Sequence, residues 1–265
     1  MSMRRCNICL RRSKMSRDHI FPRSITKKVQ RRVSDIGRRL GAALTSKPTK
    51  IAQNGYTESN ICEHCNNSLL GTYLDPHLTK LYKDVDRELG YLKFLGGGSI
   101  IVRDVDLKKA IRAASAHLLA YSKQAHYKAP IARDLRRLVF KGKRSPRLRI
   151  GIWLFPYKDQ VLLNSVGIAS ILKGVTPITI SAYKTYPLAI AFVFDNPTYT
   201  FPFKSVLEIS NCFEMPDDIV SLRLMTVPLV HQLWPEAPLD SGMVLMHNES
   251  GVHTQPYMNL KQYPY

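Results

Sequence analysis

Hydrophobic positions recur along this chain with two different periods, and the change from one to the other divides it. Ile25, Val29, Val33, Ile36, Leu40 and Leu44 follow one another at spacings of four and three, which predicts a helix over 23–44 with one apolar stripe. Its other faces carry Lys27, Lys28, Arg31, Arg32, Arg38 and Arg39, so one side would dock while the other meets phosphates. Gly37 and Gly41 weigh against its continuity. A short helix is expected from just after Asn60 to Leu70, ended by Gly71. Leu78, Leu81, Tyr82, Val85 and Leu89 mark another from Leu74 to Leu95, and Ile111, Ala114, Leu118 and Tyr121 one from Leu107 to Tyr127. Ahead of these, Met3 to Arg12 reads as a knuckle or hairpin, and Met15 to Pro22 as a strand running into a turn at the proline. Residues 45–55 read as loop. From Leu148 onward the pattern turns to short β-rich runs at Leu148–Phe155, Ile178–Ile180, Leu188–Phe194 and Val206–Ile209.

The expected fold class is therefore α+β, with a sheet of several strands in the C-terminal part. Gly96-Gly97-Gly98 has no Lys-Ser/Thr partner and so is not a phosphate-binding loop; it reads as a joint between domains at 1–95 and 99–265. A length of 265 residues, 45% of them hydrophobic, is enough for a sizeable core and argues against wholesale disorder. The longest apolar run, Pro187 to Phe194, is far short of a membrane span, and the first residues lack the apolar core of a signal peptide. A cytoplasmic protein without a membrane partner is expected.

Charge narrows the choice of partner. The formal net charge is +19, and its distribution is uneven. Residues 1–50 hold 15 Lys and Arg against 2 acids, and residues 101–150 hold 14 against 3, whereas the remainder is slightly acidic. Two concentrated basic blocks suit a polyanion, because each phosphate contact releases condensed counterions. DNA is the expected polymer, with RNA left open.

Four of the five cysteines fall in two pairs, Cys6-Asn7-Ile8-Cys9 and Cys62-Glu63-His64-Cys65. Such spacing in a chain without a secretory signature reads as metal binding, and four thiolates close a tetrahedral zinc site with no position left for chemistry. The fifth, Cys212, is flanked by apolar residues and reads as a small buried hydrophobe. Between the pairs lies Arg17-Asp18-His19, and Asn66 follows the last cysteine directly. An Asp beside a His, with an amide oxygen at hand, could hold a second, harder cation near a base.

Cys6-x2-Cys9, Asp18-His19-Ile20-Phe21-Pro22, Asn60 and Cys62-x2-Cys65-Asn66 together resemble the HNH endonucleases. More narrowly, they look like the zinc-stapled subgroup in which four cysteines brace the ββα-metal motif. The resemblance covers about residues 4–75. It implies a two-stranded hairpin followed by a helix that grips one divalent metal, within an N-terminal HNH module. His19 matches the general base that activates water, a role suited to an imidazole whose ordinary pKa is about 6.5. Asp18 matches the carboxylate metal ligand. Asn66 matches the last motif position, often His, and Asn60 the middle Asn that braces the loop and helps orient the base. An H-N-N set favours a hard cation, Mg²⁺ or Mn²⁺, over a softer one. Arg17, Arg23 and Lys14 are candidates for holding the scissile phosphate. Adjacent Asp and His on a strand point to opposite faces, so a turn or bulge is required for both to serve one site.

The function so implied is a metal-dependent DNA endonuclease of a restriction or phage-defence kind. One site per chain cuts one strand, so a double-strand break calls for a homodimer or two successive nicks. The alternatives are a non-catalytic zinc module that binds nucleic acid, and a nuclease gated by a C-terminal sensor.

Overall fold

Alternation along one strand shows how the core is built. In Leu188–Phe194 every residue is buried, and its odd and even positions serve different clusters. Leu188, Ile190, Phe192 and Phe194 join a helix-covered core, whereas Ala189, Ala191 and Val193 meet Trp153, Val206 and Trp234 on the other face. A strand buried on both sides reads as a continuous apolar run, which is why this segment was the longest one in the sequence. The computed structural model describes residues 3–26, 29–36, 50–95, 98–121, 128–170, 175–194, 196, 199–237, 242–245 and 251–257.

The described chain is mixed α+β around a nine-stranded sheet. Its strands are β4 (Arg31–Asp35), β5 (Lys50–Ala52), β8 (Leu148–Leu154), β9 (Gln160–Ser170), β10 (Val175–Thr185), β11 (Leu188–Phe194), β12 (Leu207–Glu208), β14 (Gly242–Leu245) and β15 (Gly251–Pro256). The order is β12-β8-β11-β10-β9-β15-β4-β5, with β14 also on β9, and the paired strands run antiparallel. Three two-stranded sheets accompany it: β1 (Arg4–Arg5) with β2 (Arg12–Ser13), β3 (Met15–His19) with β6 (Thr57–Cys62), and β7 (Ser99–Asp106) with β13 (Ile219–Met225). The helices are α1 (His64–Leu74, of the wide π type), α2 (Asp75–Leu95), α3 (Leu107–Tyr121) and α4 (Pro130–Lys141). Among the described residues no helix is long and apolar enough to cross a membrane.

Local signals account for the helix ends. Asp106 accepts the backbone N–H of Lys109 at 3.0 Å and caps α3. Pro130 opens α4, and Gly142, at φ 60° in the left-handed region, closes it by donating to the Leu138 carbonyl. The apolar stripes at Leu78, Leu81, Tyr82 and Val85 and at Ile111, Ala114, Leu118 and Tyr121 are buried, as their period requires. Cys212 is buried too, and burial raises its thiol to about 11.

Three expectations are corrected, one of them the loop over 45–55, where Lys50–Ala52 form β5. The helix over 23–44 does not form at Arg31–Asp35, which is β4, paired with β15 on one side and β5 on the other. Arg31 and Val33 point inward while Arg32 faces solvent, a period of two imposed by partners more than 200 residues away. Lys27, Lys28, Arg38 and Arg39 lie outside the described residues. Nor does Gly71 end a helix: α1 runs through it into α2, and a Cβ there would sit 3.3 Å from the Asn66 carbonyl across the wide turn.

The basic N-terminal segment thus extends the C-terminal sheet instead of standing beside it. One buried cluster runs from Cys6 and Ile61 through α2 and α3 to Ile190 and Val252. The joint expected at Gly96–Gly98 includes residues 96–97, which lie outside the described set. On the opposite face of the sheet, Gly151 allows Phe201 and Val206 to close over β8, where a Cβ would fall 2.6 Å from Phe201 Cζ and 2.7 Å from Val206 Cγ1. Gly151→Ala is expected to cost about 1–3 kcal/mol by overpacking, read as a lowered midpoint in urea at unchanged slope.

Candidate functional site

The β1/β2 hairpin is held around a tight knuckle. Cys6 and Cys9 lie in its loop, where Leu10 adopts φ 63° and its N–H returns to the Cys6 carbonyl at 2.9 Å. Cys62 ends β6, and Cys65 lies in the first turn of α1. All four Sγ atoms come within 4.8 Å of one another, and Cys6 and Cys65 are fully buried. Cys9 Sγ and Cys62 Sγ are 3.8 Å apart. That is close to the edge of a tetrahedron whose sulfurs stand about 2.3 Å from its centre. Cys6 Sγ accepts the Cys62 N–H at 3.3 Å. The Cys65 thiol and nearby backbone donors draw the Cys6 thiol down to about 4, whereas burial pushes Cys9 up to about 11. Four such cysteines could bind a metal such as zinc, which would take up the thiolates and release their protons.

From this staple the β3/β6 hairpin carries Asp18 and His19. Its register runs from Met15↔Cys62 to His19↔Thr57, with a bulge between Ser16 and Asp18. Asp18 turns into the core, and His19 is half-buried on the hairpin. Arg23 Nε donates to His19 Nε2 at 3.0 Å, leaving the ring proton on Nδ1. Burial lowers the pKa of His19, Arg23 lowers it further, and Asp18 with the Asn54 backbone partly offsets this. The imidazole is thus neutral at neutral pH, the form a general base requires.

Asp18 faces a residue the sequence reading passed over. His117, wholly buried on α3, places Nδ1 3.7 Å from Asp18 Oδ2 and Nε2 3.0 Å from Asp75 Oδ1. The first distance is too long for a hydrogen bond, and neither Asp18 Oδ2 nor His117 Nδ1 has a hydrogen-bond partner among the described residues. Burial alone would lower the His117 pKa; the charge of Asp75, with Asp18 beyond the other nitrogen, reverses this and raises it to about 10. Tyr183 from β10 closes over this ring at 6.0 Å between centroids, and Phe21 packs on Tyr183 at 5.0 Å.

The two asparagines fare differently. Asn66 Nδ2 donates to Ser16 Oγ at 2.8 Å and to the Arg17 carbonyl at 3.1 Å, fastening α1 to the bulge just ahead of Asp18. Asn60 Nδ2 instead reaches the Ala120 carbonyl at 3.2 Å and braces β6 against α3, and no hydrogen bond joins it to His19. The backbone facing His19 belongs to Asn54. Asn54-Gly55 is a turn dipeptide between two strands, with Gly55 at φ 89°, so a turn signal in the sequence could have pointed to it. His117 also left a trace, as the one basic residue among the buried positions of a largely apolar helix. Besides the four cysteines, no other group of three or more Cys, His, Asp or Glu gathers as a metal cluster among the described residues.

Of the expected nucleic-acid contacts, Arg17, Arg23 and Arg32 are exposed, and so is Lys14. Arg17 Nε donates to Thr57 Oγ1 at 3.0 Å, and the Arg32 guanidinium lies 5.2 Å from the Tyr257 ring centroid. Arg31 does not face a polyanion. Its guanidinium is buried, donating to Thr254 Oγ1 and Lys158 O, each at 2.7 Å, and burial lowers its pKa to about 10 against the pull of Asp159. Comparison with known proteins finds no match to this chain, whether among family models, curated proteins or solved structures.

Proposed function

We propose that this chain is a metal-dependent endonuclease of the HNH type that hydrolyses phosphodiester bonds in DNA, in a restriction or phage-defence role. The reading rests above all on one observation: a neutral His19 at the end of a cysteine-stapled hairpin, beside exposed Arg17 and Arg23. Asp18 and Asn66 would hold Mg²⁺ or Mn²⁺. The donor set suits such a cation, since both residues offer hard oxygens. A bound cation would stabilise negative charge on the phosphate and on the leaving oxygen.

The chain's own residues would do the rest. Arg23, exposed at the surface, moves from His19 Nε2 to a phosphate oxygen, which presents a stronger, charged acceptor. The freed Nε2 takes a proton from water while the oxygen attacks phosphorus and the P–O bond to the leaving oxygen breaks. Nδ1–H keeps the ring oriented towards the Asn54 backbone. His19→Ala is expected to lower nicking of supercoiled plasmid in Mg²⁺ or Mn²⁺ by about 10²–10⁴-fold while leaving DNA binding intact. Full turnover in that variant would exclude His19 as the base.

A second reading, a nuclease gated by its C-terminal part, has its own support. Arg23 occupies the base, and Asp18 faces His117 on α3, which packs on β9 and β10. Under this reading wild type and variant bind DNA equally and neither cuts until a ligand of the C-terminal region is supplied.

A further inference from the structure

Among the described residues, a concentrated positive surface lies on α4. The inner face of α4 is apolar, with Ile131, Ala132, Leu135, Leu138 and Val139 buried. Its outer face shows Arg133, Arg137 and Lys141, one helical turn apart, with Phe140 between the last two and 48% exposed. At about 1.5 Å of rise per residue the three cations span about 12 Å. Like charges at four-residue spacing repel, so packing of the helix gains nothing from them. The one acid on the helix, Asp134, is half-buried.

The helix also contacts the knuckle. Arg136 Nε donates to the Asn7 carbonyl at 2.8 Å, and Asn7 Nδ2 donates to Leu119 O at 3.2 Å, seating α4 and α3 against the cysteine loop. The β1/β2 hairpin adds exposed Arg4, Arg5, Arg11 and Arg12, and residues 3–17 contain no acid. Arg5 stands directly opposite Arg12 in the hairpin register, a like-charge pairing that disfavours the sheet. Repulsion accepted on both elements, with an aromatic ring exposed among the cations, matches the make-up of a single-strand track, in which cations follow phosphates and a base stacks on the ring.

We infer that the outer face of α4, together with the β1/β2 hairpin, binds a nucleic-acid strand with unpaired bases, Arg133, Arg137 and Lys141 meeting phosphates and Phe140 taking one base. The inference rests on the nucleic-acid reading of the chain but not on catalysis, and on residues separate from the β3/β6 hairpin.

The test is a salt titration of binding to labelled oligo-dT and to a duplex of equal length, in a His19→Ala background without added divalent metal. Arg133→Gln, Arg137→Gln and Lys141→Gln combined should lower the slope of log affinity against log salt by about 2 on oligo-dT, at about 0.7 per phosphate contact. A control removing three exposed cations elsewhere, Arg87→Gln, Arg103→Gln and Arg223→Gln, should leave that slope near wild type. Phe140→Ala should weaken oligo-dT at least about fivefold and spare the duplex. Bound metal content and urea midpoints confirm that each variant is folded. Equal slopes for stripe and control variants would overturn the inference while leaving the nuclease reading untouched. Equal losses on oligo-dT and duplex with Phe140→Ala would overturn the unpaired-strand assignment. A parent protein that binds neither DNA would remove the inference and the nucleic-acid reading together, whereas binding without plasmid cleavage would remove catalysis alone.

Discussion

Cys65→Ala is expected to abolish the folding of the N-terminal hairpins, not merely to weaken it. Cys65 Sγ is fully buried and meets three other sulfurs drawn from two elements, the β1/β2 loop and the end of β6. The hairpin strands themselves add little to it, since β1 and β2 are two residues each and Arg5 stands opposite Arg12. Structural zinc in small sites contributes on the order of 10–16 kcal/mol of apparent binding free energy. That is as large as the whole stability of an ordinary domain, about 5–15 kcal/mol. Loss of one ligand should therefore release the knuckle, the register at Met15↔Cys62 and the start of α1 together. The measurements are metal stoichiometry of the purified protein and the unfolding transition with and without a strong chelator. Wild type should carry one zinc per chain and lose its transition on chelation; the variant should carry none. Cys212→Ala is the control, since Cys212 is buried on the 3-10 turn at Ser210–Phe213 and joins no metal cluster among the described residues. A wild type that melts identically with and without chelator would reject a structural metal.

The part of this site that could be read from the sequence is the part fixed by local spacing. Two cysteines three positions apart can reach one ion through a single turn, so Cys6, Cys9, Cys62 and Cys65 were legible as a set, and the structure gathers them. The stripes of α2 and α3 were legible because a helix determines its own buried face. β4 was not, because Val33 fits a period of four as well as a period of two, and the decision lay with Val252–Pro256. Arg31 was misread for the same reason, since a basic residue on a presumed helix face became an inward position on a strand. The two asparagines show how far a motif carries. Asn66, tied to Cys65 by one peptide bond, lies against the Asp18 strand, but Asn60 was placed by order along the chain and its amide went to Ala120.

His117 was the least legible residue of the site, and its replacement should have the second largest effect. Its ring separates Asp18 from Asp75 in a region where its own exposure is zero and that of Asp18 is 6%. His117→Ala removes the only cation between these carboxylates among the described ion pairs and leaves a cavity under Tyr183. Removing one partner of a buried charge pair costs about 3–5 kcal/mol, because the remaining charge keeps its desolvation penalty without its compensation. Equilibrium urea unfolding should show a loss of that size. The pairing itself is isolated by adding Asp18→Asn. If Asp18 and His117 stabilise each other, the double variant should recover about 0.5–3 kcal/mol relative to the sum of the single losses. Strict additivity would mean that Asp75 alone holds the imidazole, with Asp18 merely nearby at 3.7 Å. A measured coupling would instead tie the hairpin's carboxylate to α3, and through Tyr183 to the large sheet. In that case the C-terminal part sets the geometry of Asp18, and the hairpin module excised from it should lose that geometry even with its four cysteines intact.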